Sequence, residues 1–172
     1  MTLRPLVVVL LVITTAAIQS VLFPHLAVGG YRPDLLLLVT VGFALRDGPL
    51  TGTRVGVAAG LVADLMATQT PLGLGVLIHA CVGAGIGLLR PYLSSDSLTA
   101  PLVSASTTGF LATAAFGFGA RAFGDTLLST VTVLETALVV GVYNTVLALP
   151  AIGLVTRLTR RWPPGQTSAT IG

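Results

Sequence analysis

Long apolar runs alternate with short polar breaks along the chain, and the breaks hold most of its charges. The runs are too long for half-buried strands and read as helices. The pattern predicts helices over 5–27, 32–46, 51–68, 72–90, 99–119 and 131–157. Thr70 and Pro71 suit an N-cap and a first helical position opening the fourth helix. Arg90 and Pro91 close that helix, and Asp96 or Ser97 with Pro101 opens the fifth. Asp125 suits the cap of a short surface turn ahead of the sixth.

Composition says what surrounds these helices. Of 172 residues, 53% are hydrophobic and 9% charged, with a mean hydropathy of +0.94. Soluble domains carry about 25% charged residues, and so apolar a chain could not cover a water-facing surface. The bilayer must act as solvent, and spans of about 20 residues each consume most of the length. The expected fold is an all-α membrane protein of about six transmembrane helices. It forms one polytopic domain over 1–161, and the use of Arg at all nine basic positions suggests a GC-rich bacterial genome, hence the bacterial cytoplasmic (inner) membrane. The stretch 162–172, rich in Pro, Gly, Ser and Thr, reads as a disordered cytoplasmic tail. Arg4 followed by the apolar run 6–18 has the start of a secretory leader, but no convincing A-x-A site follows, so a retained first helix is expected. The formal charge of +3 sits at helix ends, which points to topology and away from nucleic acid. The lone Cys81 lies in an apolar run, where a packing role is expected.

The second helix is short. Its uncharged run, 35–45, spans about 16 Å against a hydrocarbon core of about 30 Å. Either Asp34 and Arg46 sit at thinned interfaces or the segment is re-entrant. Charge bias favours a full crossing. With six spans and both termini cytoplasmic, Arg4, Arg46, Arg54, Arg90, Arg157, Arg160 and Arg161 lie inside, and Arg32 and Arg121 outside. A failed second crossing would invert that distribution, against the positive-inside rule.

Candidate chemistry centres on the third and fourth helices. Gly52, Gly56 and Gly60 recur every fourth residue, and Asp64 continues the row; Gly75, His79, Gly83 and Gly87 repeat the spacing. Such rows share one helix face and let a neighbouring backbone approach closely. The short connection makes the two helices antiparallel neighbours. Asp64 and His79 then lie roughly 6 and 10 Å below the outer loop. Glu135 enters the sixth helix at similar depth, so the three ionisable groups are expected to share the outer third of the bundle. A charge there needs a partner or a purpose. For Asp64 the readings are a structural hydrogen bond to backbone or loop amides, partner docking, and a substrate or proton site. For His79 they are a packed neutral ring and a ligand or relay. For Glu135 the bland reading is an interfacial residue facing water.

No metal or enzyme signature appears: no H-E-x-x-H, no Cys/His cluster and no G-x-S-x-G. No cofactor is implied. Ser104, Ser106, Thr107 and Thr108 form a polar patch on the fifth helix, explained by hydroxyls bonding back to the helix or across it.

From Arg32 to Arg90 the sequence resembles the MreD family of bacterial rod shape-determining membrane proteins. The matching elements are Arg32-Pro33-Asp34-Leu35-Leu36-Leu37, then Gly56-x3-Gly60-Leu61-x2-Asp64-Leu65, then Pro71-Leu72-Gly73. The resemblance implies a non-enzymatic morphogenesis factor of the cell-elongation complex. Its direct partner would be an MreC-like single-span protein, linking it indirectly to MreB, RodA and a penicillin-binding protein in side-wall peptidoglycan synthesis. The family fold is similar to the substrate-binding subunits of ECF transporters.

Two functions follow. One is a scaffold whose intramembrane surface, with the glycine rows and Asp64, docks its partner. The other is a vitamin-binding subunit of the ECF type, which would need an outer pocket with aromatic and polar contacts. Only 6% of residues are aromatic, and the connection 68–71 is too short for a lid.

Overall fold

The computed structural model of the chain describes residues 4–27, 30–67, 72–93, 98–124 and 129–160. These form six α-helices and no strand: α1 (Arg4–Leu26), α2 (Leu35–Asp47), α3 (Pro49–Met66), α4 (Leu74–Leu89), α5 (Thr99–Ala122) and α6 (Thr130–Thr159). A 3-10 turn, Arg90–Tyr92, extends α4. Four helices are long and apolar enough to cross a membrane: α1, α4 with its extension, α5 and α6. Of the other two, α2 is buried inside the bundle, while α3 keeps an exposed apolar face with Leu50, Val57, Leu61 and Leu65.

The short second helix is the axis of the molecule. Ten of its thirteen residues are buried, and Leu36, Leu37, Leu38, Val41, Phe43 and Ala44 are fully so. Leu36, Val39 and Phe43 pack with Leu11, Val12 and Ala16 of α1, Val55 and Ala59 of α3, and Val155 of α6. Leu38, Val41 and Ala44 pack on another side with Ile86 of α4, Ala105 of α5, and Ala148 and Ile152 of α6. A helix apolar all round has no wet face. Here it has no lipid face either, so its roughly 20 Å length need not match the bilayer. That resolves the length mismatch: the charged residues at its ends meet protein groups.

Several boundaries differ from the sequence reading. Helix α2 begins at Leu35, not 32, because Pro33 precedes an extended Asp34 that serves as N-cap. Helix α3 begins at Pro49, which takes a first-turn position where its missing N–H is harmless. Gly48, at φ 86°, makes the reversal between α2 and α3 in a single residue. Helix α4 begins at Leu74, not 72, with Gly73 in the left-handed region. The expected caps Thr70, Asp96, Ser97 and Asp125, with Pro71 and the tail 162–172, lie outside the described residues. Leu98 stands at the N-cap of α5 and makes no side-chain cap bond.

Neighbours alternate in direction. A side chain at Gly52 would meet the backbone of Gly83, one at Gly56 that of His79, and one at Gly87 that of Pro49. A Cβ at Gly60 would sit 2.5 Å from the Gly75 carbonyl oxygen and 2.6 Å from the Val76 Cα. Residue numbers rise on α3 as they fall on α4, so the pair is antiparallel with backbones in contact. Helices α5 and α6 pair likewise, with Gly109 against Asn144 and Gly141, and Gly117 against Val133.

Candidate functional site

Asp64 closes the α3–α4 hairpin. Its Oδ2 accepts from the Gly73 N–H at 2.8 Å and the Val76 N–H at 3.1 Å, and its Oδ1 from the Gly75 N–H at 2.9 Å. The first amides of a helix have no intrahelical acceptor, and a carboxylate there also complements the helix dipole. Gly73, at φ 103°, supplies the left-handed residue that turns its N–H toward Asp64. Asp64 is 2% exposed, so no surface is left for a partner to touch. The glycines of both rows likewise face each other inside the hairpin.

The start of α2 is a second buried helix end, and three elements serve it. The Asp34 N–H donates to Asn144 Oδ1 of α6 at 2.9 Å. The Leu35 and Leu36 N–H groups donate to Gln19 Oε1 of α1 at 2.8 and 3.3 Å. The Leu37 N–H donates to Asp34 Oδ1 at 3.0 Å. An unpaired amide in hydrocarbon costs several kcal/mol, so these side chains permit a helix to begin below the surface. Gln19 and Asn144 escaped the sequence reading. Each is a lone amide inside an apolar run; that was the available signal, and it names no partner.

His79 joins the two helix ends. Its Nδ1 lies 2.9 Å from the Gly75 carbonyl oxygen, which can only accept, so Nδ1 carries the proton. Its Nε2 has no hydrogen-bond partner in the protein and lies 3.6 Å from Asp34 Oδ2. Glu135 is exposed on α6 and makes none of these bonds. The expected trio of Asp64, His79 and Glu135 is therefore corrected to Asp64, His79 and Asp34. The reason is helix rotation: Glu135 neighbours the buried Val133 and Ala137 but points off their face.

A cavity of about 270 Å³ opens beside His79, lined by Gln19, Arg32, Asp34, His79, Thr113 and Phe116 among others. Along α4 and α5 runs a wider apolar groove of about 680 Å³. Cys81 is exposed in this groove, contrary to the packing expectation, because the glycine row takes the opposite face of α4. Thr107 and Thr108 bond back to the carbonyls of Val103 and Ser104 at 2.6 and 2.5 Å, as expected of hydroxyls in an apolar helix. Among the described residues no group of three His, Cys, Asp or Glu side chains could hold a metal.

With this geometry in place, comparison decides the family. The model of the rod shape-determining protein MreD matches residues 1–158. The chain belongs to the MreD family. It is thereby a membrane protein with a role in rod-shape determination. No curated protein and no solved structure matches. In this MreD-family chain the motif residues Asp34, Asp64 and Gly73 all sit at helix ends, and Pro33 is buried just before α2.

Proposed function

We propose that this MreD-family protein is a non-enzymatic scaffold of the cell-elongation complex. It crosses the inner membrane six times with both termini cytoplasmic. It binds an MreC-like single-span protein and through it supports side-wall peptidoglycan synthesis. The observation that carries this reading is the family match over nearly the whole chain. The chemistry of the interior agrees with it, because Asp34, Asp64, Gln19 and Asn144 are engaged at helix ends. The orientation rests on charge. The Arg46 guanidinium reaches the Thr159 carbonyl at 2.6 Å, and Gly87 abuts Pro49, so one end of the bundle gathers Arg46, Arg90, Arg157 and Arg160. The other end holds Arg32 and Arg121, and the positive-inside rule puts the richer end in the cytoplasm.

Because Asp64 and the glycine rows face inward, the docking surface is on the outer faces of the bundle. A mild-detergent pull-down from native membranes, read by mass spectrometry, tests the proposal. It should recover a single-span periplasmic coiled-coil protein with wall synthases. Recovery of paired ABC-type ATPases with a membrane coupling subunit would overturn it.

A further inference from the structure

The cavity beside His79 and the groove between α4 and α5 adjoin each other. Ile78 and Ala112 line both. The cavity is lined by a cation, the exposed Arg32, and by an anion, the half-buried Asp34. No described carboxylate lies within ion-pair distance of Arg32. His79 lines the same cavity and is 5% exposed; its Nε2 makes no hydrogen bond in the protein and lies 3.6 Å from Asp34 Oδ2. A buried polar atom left unpaired is unfavourable and calls for a partner. The space equals roughly nine waters at about 30 Å³ each. The adjoining groove is walled by Leu77, Val82, Leu89 and Leu111, and Gly85 leaves open space at its floor.

We propose that the cavity and the groove together bind one phospholipid with a zwitterionic, primary-amine head group. The phosphate pairs with Arg32, the ammonium donates to Asp34 and His79 Nε2, and one acyl chain lies along the groove. The separated opposite charges select a zwitterion over an anionic head. The acceptors Asp34 and His79 Nε2 select an amine with N–H groups over a quaternary one. The continuous apolar groove selects an intact lipid over a free solute. This site is independent of the scaffold's partner and goes beyond the proposed function.

The test uses the full-length protein, delipidated in neutral detergent, and native mass spectrometry with matched-chain phosphatidylethanolamine, phosphatidylcholine and phosphatidylglycerol. Phosphatidylethanolamine should be retained about tenfold better than the other two, the worth of one charge-assisted hydrogen bond. Arg32→Gln, at an exposed position, should weaken retention of all three lipids, which share the phosphate, whereas Asp34→Asn, which keeps an oxygen to cap the Leu37 N–H, should remove most of the selectivity. Gly85→Leu, which enters open space, should weaken retention of the lipid by filling the groove. Equal retention of all three lipids, or selectivity unchanged in Asp34→Asn, would overturn the proposal. So would full displacement of the lipid by soluble glycerophosphoethanolamine at equal concentration, which would show that the groove contributes nothing.

Discussion

Asp64 and Asn144 do similar work at two helix starts, Asp64 accepting three backbone N–H groups and Asn144 one. Removing such an acceptor strands backbone donors, of which the Gly75 N–H is buried, at about 1–3 kcal/mol for a buried group. Asp64→Ala should therefore lower the unfolding temperature in detergent markedly, while Asp64→Asn, which keeps one acceptor oxygen, should lower it less. Asn144→Leu should also destabilise, because the Asp34 N–H loses its partner. Glu135→Gln, at an exposed position, should change nothing measurable. A thermal scan of the four variants checks this ranking, and equal stability of Asp64→Ala and wild type would refute the capping role. The sequence did show that Asp64 shares a face with the glycines, and it allowed a bond to loop amides as one reading. It did not show Asp34 beside His79, since that proximity depends on how α2 is rotated between α3 and α4.

At the scale of elements, the hairpin α3–α4 depends on glycine because two backbones touch. Gly83→Ala would place a methyl group on the Gly52 carbonyl, and Gly56→Ala one on the His79 carbonyl. Backbone cannot swing aside as a side chain can, so the helices must separate, and close packing is the main attraction between helices in lipid. Gly85 and Gly153 lie in equally regular helix but face open space. Gly85→Ala and Gly153→Ala should be neutral or slightly stabilising, since alanine is the better helix former by about 1 kcal/mol. Gly83→Ala and Gly56→Ala should lower folded yield and melting temperature. The contrast between Gly83 and Gly85, two residues apart on one helix, separates packing from propensity. The four-residue spacing made the packed rows legible, while the lone amides at Gln19 and Asn144 carry no periodic signal. Their role appears only when α1 and α6 converge on the start of α2.

The whole molecule poses a question of orientation. Leu72 and Tyr92 are both strongly exposed and stand at opposite ends of α4. In a Cys81→Ala background, Leu72→Cys should react with a membrane-impermeant maleimide in intact cells. Tyr92→Cys should react only after the membrane is opened. Reversed labelling would invert the proposed topology, and labelling of both in intact cells would remove the fourth crossing.

The sequence by itself determined the solvent, the number of helices and the α3–α4 hairpin. Those follow from composition, run length and the repeat of glycine at helical spacing, all local or periodic properties of the chain. Only the tertiary structure decided that the second helix is the buried axis, that its amides are satisfied by side chains from α1 and α6, and that Asp34 rather than Glu135 completes the polar cluster. These depend on the rotation and depth of each helix. Rotation and depth are set by contacts between residues as far apart as Asp34 and Asn144, and an apolar helix without a wet face gives no periodic signal of either.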